Sequence, residues 1–231
     1  MDIQEEFAPF RYQYDRLVAS ADRAFEQIHA SFPDCVTCKP ACNDCCYALF
    51  DLTLVEAMAI HERFEAQFSG EQREELLERC NKADRAVYKI KRKAYKRIEA
   101  GEDAKTILAA LAEERVRCPM LNDAGTCDIY AFRPITCRLY GIPTFDGENS
   151  HTCGLSNFQK GRSYPTAKYD RIHEKLLNLS MDFVRQIQSR HRKMGDLLVP
   201  LSMAILTVYD EEYLGIPVKP SDSDGGVSHA S

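Results

Sequence analysis

Apolar residues recur every three to four positions through most of the chain. Phe10, Tyr14, Leu17, Val18, Ala21, Phe25 and Ile28 follow this spacing with charges between them and predict a helix over the first 31 residues. Ser31-Phe32-Pro33-Asp34 breaks it. Thr53 and Glu56 have the spacing of a capping box, so a second helix is expected to start there and run through Val55, Met58, Ala59, Glu62 and Phe64 to about Phe68. Ser69-Gly70 stops it. A long helix is predicted from about Glu71 to Ala100, with Leu76, Leu77, Cys80, Ala83, Val87, Ile90, Ala94 and Ile98 as its apolar stripe. Gly101 closes it, and Asp103 opens a shorter helix through about Glu114. Helix is expected again from Thr166 to about Lys193, broken by Gly195, and then from Leu197 to Tyr209, weakened at Pro200.

Two stretches lack any period. The segment from Cys35 to Cys46 is crowded with Cys, Pro and Asn, and Val116 to about Gly161 carries turn signals at Asn122-Asp123-Ala124-Gly125 and Asp146-Gly147. The expected fold is therefore mostly α: a helical domain with two irregular cysteine-rich loops that converge on a metal centre. Four units are expected: an N-terminal helix over 1–34, a cysteine-cluster domain with inserted long helices over 35–161, C-terminal helices over 162–214 packing on it, and a disordered tail over 215–231.

At 231 residues and 45% apolar, the chain is long enough to bury a core without covalent staples. A net charge of −5 gives no general nucleic-acid or anionic-membrane signal, so nucleic acid is not an expected partner. No apolar run spans a bilayer, and the acidic start Met1-Asp2-Ile3-Gln4-Glu5-Glu6 is unlike a secretory signal. A cytoplasmic location is expected.

Cysteine changes the picture. There are ten: Cys35, Cys38, Cys42, Cys45, Cys46, Cys80, Cys118, Cys127, Cys137 and Cys153. Clustered thiols in a reducing compartment bind metal more often than they pair as disulfides. Cys38, Cys42 and Cys45 are spaced closely enough for a curled loop to point several sulfurs at one ion, since metal–sulfur bonds are only about 2.3 Å long. Adjacent side chains diverge, so the neighbours Cys45 and Cys46 serve two metals, or one ligates while the other packs. Cys118, Cys127, Cys137 and Cys153 supply four more thiols at wide spacing. Eight thiolates match two four-cysteine sites, or one such site with spare or reactive thiols; spacing does not choose. Four thiolates on a divalent ion, or on an iron–sulfur cluster, leave net negative charge to be compensated. Arg133 and Arg138, flanking Cys137, are expected to face it.

These residues carry a resemblance. Cys38-x3-Cys42-x2-Cys45-Cys46, then Cys118-Pro-Met-Leu, then Cys127-x-Ile-Tyr130-x2-Arg133-Pro134-x2-Cys137-Arg138-x-Tyr140 resembles the YkgJ-type cysteine-cluster family of candidate zinc- or iron-chelating CxxCxxCC proteins. The match runs from about Cys38 to Cys153, half of the chain. The resemblance implies a bound iron–sulfur cluster (4Fe–4S) or zinc. A similar cysteine pattern is associated with flagellin lysine N-methylase, which keeps open an iron–sulfur-dependent redox or protein-modifying enzyme; a metal-delivery chaperone is the third alternative.

Cys35 lies outside the pattern and stands as a substitute ligand for Cys38, whereas Cys80 sits on an apolar helix stripe and is expected in the core. His151 is the one histidine beside a candidate ligand, although a solvated loop residue is the simpler reading. Lys82 to Arg97 holds eight Lys or Arg and one acid, with Tyr88 and Tyr95 among them. A solvated helix face explains it best, and a nucleic-acid or partner-binding face is the alternative. Phosphate-binding glycine loops and a serine nucleophile elbow are both absent from the sequence.

Overall fold

The computed structural model describes residues 2–39 and 41–217. The chain is mostly helical. Helix α1 spans Ile3–Ser31, and the Asp2 carboxylate caps it by accepting from the Gln4 and Glu5 amides. Strand β1 (Asp51–Thr53) leads into α2 (Leu54–Gln67), which is followed by α3 (Gly70–Glu99) and α4 (Ala104–Glu113). A single short helix, α5 (Ile135–Leu139), interrupts the second cysteine-rich stretch. Strands β2 (Thr144–Phe145), β3 (Ser150–His151) and β4 (Ala167–Lys168) form a small sheet in the order β3-β2-β4. Helix α6 (Tyr169–Gln186), strand β5 (Leu198–Pro200) and α7 (Leu201–Leu206) complete the described fold.

Helix α2 is the axis. Leu54 through Ile60 are all buried, so the first two turns of α2 are enclosed on every side, and only its last turn, Glu65 to Gln67, is exposed. Val55, Met58 and Ala59 face one core, shared with α1 and α6, where Phe7 and Phe10 pack edge-on against Phe183 at 5.4 and 5.3 Å. Ala57, Ile60 and Phe64 face a second core with Leu76 and Cys80 of α3, Leu201, Ala204 and Ile205 of α7, and Met120, Ile129 and Phe132 of the cysteine-rich stretch. Cys80 is fully buried there, as its place on the α3 stripe predicts.

The α2 start departs from the expected capping box. Thr53 is the cap position but its side chain accepts no capping bond. The Val55 amide instead donates to Ser180 Oγ of α6 at 3.1 Å. Glu56 does not reach back; its carboxylate, 3% exposed, accepts from the Ile135 amide at 2.8 Å and from the Tyr14 hydroxyl at 3.3 Å. The reason is burial. A capping box serves a helix end in water, whereas this end is enclosed by α1, α5 and α6, which supply the partners.

Two more expectations change. The stretch Leu197–Tyr209 is not one helix: β5 pairs antiparallel with β1, opposing Asp51 to Pro200 and Thr53 to Leu198, and only then does α7 begin. Pro200, extended at ψ 155°, lacks an amide and so ends the strand and precedes the helix. Helix α6 is shorter than expected, because Ala167 and Lys168 extend beside β2 and a 3₁₀ turn over Arg192–Asp196 replaces its end. The basic stretch of α3 lies on its outer side, with Tyr88 61% and Tyr95 60% exposed. Lys82 there pairs with Glu78, Lys91 with Asp51 and Arg97 with Glu102. Leu214 and Ile216 are buried against α6, and the Arg190 amide donates to the Gly215 carbonyl; residues 218–231 of the expected tail lie outside the described residues. Among the described residues no helix is long and apolar enough to cross a membrane.

Burial pushes the Glu56 carboxyl up to about 7 from an ordinary 4.5, against the help of its two donors and of the Arg138 charge. Between those values the folded chain holds a proton that the unfolded chain has lost, so this residue makes stability fall as pH rises, with the full cost present above about 7. Glu56→Gln is expected to remove this decline, by at most about 3 kcal/mol. Urea unfolding of both proteins at pH 5 and pH 8 measures it; a wild-type-minus-variant difference that does not change with pH would contradict the assignment.

Candidate metal centre

The first cysteine-rich segment curls tightly. The Cys42 amide donates to the Lys39 carbonyl at 2.9 Å, and Ala41 takes φ 65°, a left-handed conformation that costs a residue with a Cβ roughly 1 kcal/mol. A 3₁₀ turn over Asp44–Tyr47 follows and carries Cys45 and Cys46. The second segment opens with a tight hairpin. Asn122 and Thr126 exchange backbone and side-chain bonds around Gly125, and Leu121 bridges Cys127, so Cys118 and Cys127 flank one turn. Cys137 sits on α5, and Cys153 follows the β2–β3 hairpin. The two segments are stitched at their backbones: the Cys118 amide donates to the Cys46 carbonyl at 2.7 Å, and the Val116 amide to the Tyr47 carbonyl at 3.1 Å.

The result is one cavity of about 480 Å³. Cys38, Cys42, Cys45, Cys46, Cys118, Cys127, Cys137 and Cys153 all line it. Cys35, Cys80 and His151 do not. His151 is exposed on β3, with Nε2 at 2.6 Å from the Asp146 carboxylate. Among the described residues no three Cys, His, Asp or Glu side chains close into a shell around one point; the thiols stand along the walls.

Most of these thiols are held in the protonated form. Burial, then the charges of Cys42 and Cys153, push the Cys38 thiol up to about 11, and burial pushes Cys118 up to about 12. Cys137, walled in by protein with its sulfur bordering the cavity, is raised further by burial. Cys127 and Cys153 are raised by burial as well. Without a cation these five thiols therefore keep their protons at neutral pH. A bound cation reverses the balance, because it compensates the thiolate charge that burial penalises. Backbone amides already aim at these sulfurs: Met120 and Leu121 at Cys118, Ile129 at Cys127, and Leu155 at Cys153 at 3.4 Å. Such N–H···S contacts favour the ionised sulfur that metal requires, so the donor set fits a thiophilic metal or an iron–sulfur cluster.

Cys45 is the exception among the thiols. The Cys46 thiol donates to its sulfur and, opposed by burial, brings it down to about 7 with the help of the Arg133 charge. Arg133 stacks 3.8 Å over the exposed Tyr130 ring, and its charge also favours ionised Cys38 and Cys127. Arg138 lines the same wall, but its guanidinium is bound by Asp22 of α1 at 2.8 Å and by the Arg133 and Ala131 carbonyls at 2.9 and 2.7 Å. It ties the loop to α1 in addition to bordering the cavity.

Sequence reasoning missed Asp44. Its Oδ2 accepts from the Tyr140 hydroxyl at 2.9 Å and the Cys153 thiol at 3.6 Å, and its Oδ1 from Arg115 at 2.6 Å. Burial opposes its ionisation, yet Arg115 and Tyr140 hold its carboxyl below the ordinary range. Only an Asn-Asp pair between two cysteines marks it, which reads as turn chemistry. Gly141 was likewise unmarked. At φ 105° it occupies a conformation that other residues avoid, and a Cβ there would collide with Cys38 Sγ.

A family model described as "Putative zinc- or iron-chelating domain", of the CxxCxxCC pattern, matches residues 37–154, just over half of the chain. Neither the curated proteins nor the solved structures contain a match.

Gly141→Ala is expected to destabilise the protein by about 1–3 kcal/mol, measured by thermal unfolding, because strain and collision act together. In reduced, metal-free protein, iodoacetamide at neutral pH is expected to label Cys45 before the more exposed Cys38. Peptide mapping reads the order, and faster labelling of Cys38 would refute the assignment of the low-lying thiol.

Proposed function

The chain belongs to the CxxCxxCC family of zinc- or iron-chelating domains, and from that premise we propose that Cys38, Cys42, Cys45, Cys46, Cys118, Cys127, Cys137 and Cys153 hold an iron–sulfur centre. One observation carries the reading: thiols from two segments about seventy residues apart border a single cavity of about 480 Å³. Zinc draws its ligands onto one point and needs no void. A polynuclear cluster brings its own volume and keeps its cysteines apart. Arg133 stands where it would offset the excess negative charge, and the amides on Cys118, Cys127 and Cys153 would hold the ligand sulfurs in orientation.

When bound, such a cluster supplies electron transfer or Lewis acidity. Cys38 is exposed at the cavity mouth, so the centre would be approachable from solvent or by a partner protein. That supports a redox or protein-modifying role over a sealed structural clamp.

Protein purified without oxygen and without added metal is expected to be brown, with a broad band near ~400 nm and with iron and sulfide in equal amounts. A colourless protein with zinc alone would replace this reading with a zinc clamp. Cys137→Ser is expected to lower metal content and melting temperature together; full metal with an unchanged melting curve would remove Cys137 from the set.

A further inference from the structure

The cavity wall is not one continuous ring of sulfurs; two separate hydrogen-bonded frameworks hold it. The first surrounds Asp44. Its Oδ2 takes the Cys153 thiol and the Tyr140 hydroxyl, and Cys38 Sγ donates to the Tyr140 carbonyl at 3.7 Å. The chain after Cys153 is fastened back to the chain before Cys38. Thr37 Oγ1 donates to the Leu155 carbonyl at 2.8 Å, and the Asn157 amide to the Cys35 carbonyl at 2.9 Å. Cys42 completes this outer group, one tight turn beyond Cys38.

The second framework is the backbone ladder beneath it. Cys46 is bonded to Cys118 through its carbonyl, the Leu121 amide returns to the Cys118 carbonyl, and Leu121 bridges Cys127. Cys137 rises into this group on α5, whose first amide is held by Glu56. The thiol charges that act on Cys137 are those of Cys118, Cys45 and Cys127, whereas those acting on Cys38 are Cys42, Cys153 and Cys45. Cys42 and Cys153 are absent from the first set; Cys118 and Cys127 are absent from the second.

Cys45 and Cys46 lie at the seam. Their 3₁₀ turn places them side by side, and the Cys46 backbone is committed to the inner ladder. Cys45 borders both groups, acting on Cys118, Cys127 and Cys137 as well as on Cys38, whereas beyond its neighbour Cys45 the thiols acting on Cys46 are the inner Cys118 and Cys127. Cys46 therefore serves the inner framework, and Cys45, the one of the pair that reaches Cys38, completes the outer one.

We propose that the eight thiols form two four-thiolate shells, an outer one of Cys38, Cys42, Cys45 and Cys153 and an inner one of Cys46, Cys118, Cys127 and Cys137, joined through the Cys45–Cys46 peptide. The proposal rests on the metal-centre reading above and extends it, because two metal groups then sit one peptide bond apart. It gives the adjacent cysteine pair a part: their thiols lie side by side on one short turn, and each enters a different shell.

The test compares Cys153→Ser, in the outer shell, with Cys127→Ser, in the inner one. Each is expected to lose about half of the wild-type metal, and the double variant all of it. A single variant that stays folded by circular dichroism yet loses all its metal would overturn the partition in favour of one shared centre. Where a variant does not fold, cobalt(II) titration of the reduced wild-type apoprotein decides. Saturation at two ions per chain, with thiolate charge-transfer bands rising through both, supports two shells; saturation at one overturns them. Wild-type protein that takes up neither its own metal nor cobalt would instead defeat the metal-centre reading on which the partition stands.

Discussion

A single buried carboxylate connects the helical scaffold to the cysteine loops. Glu56 lies on the most enclosed helix, touches α1 through Tyr14, and holds the first amide of the helix that bears Cys137. A charge or an unmet acceptor there is costly, so the three elements are constrained to meet where its oxygens can be satisfied. Arg138, three residues beyond Ile135, ties the same segment to Asp22 of α1. The site is thus fixed from behind by polar bonds that only a correctly assembled core can supply, while its front is lined by sulfur.

The front obeys a different balance. Burial raises Cys38, Cys118, Cys127, Cys137 and Cys153 at the cavity, and neighbouring thiolates make them harder still to ionise. Uptake of metal is therefore an exchange of protons for positive charge, and the centre is expected to load more readily as pH rises. Cys45 alone is brought down toward neutrality, by the proton of its neighbour Cys46 and the charge of Arg133. An entering cation meets the Cys45 thiolate before the buried thiols of Cys118 and Cys137 have released their protons.

Much of this was legible in the sequence. The long helices follow from apolar spacing, because the α1 stripe and the first turns of the α3 stripe face a core; Ile98, at the far end of the predicted α3 stripe, is exposed instead. The eight cysteines were chosen from their spacing and a motif, and all eight border one cavity. What the sequence hid is tertiary. Glu56 has the local signature of a capping residue, and only the surrounding helices redirect it. Strand β5 sits in an apolar run that reads as helix, since its pairing with β1 depends on chain nearly 150 positions away. Asp44 gains its part from Tyr140, Arg115 and Cys153, all about seventy or more positions away.

The exposure of Cys38 has a consequence for the chemistry of handling. Cys38 faces solvent at the cavity mouth in the neighbourhood of Cys42 and Cys153, whereas Cys118 and Cys137 lie deeper. An oxidant arriving from outside meets Cys38 first, but burial keeps that thiol protonated, so the sulfur open to oxidation is the thiolate of the less exposed Cys45. Exposure and reactivity thus fall on different sulfurs of one cavity, and the entrance is guarded by a proton.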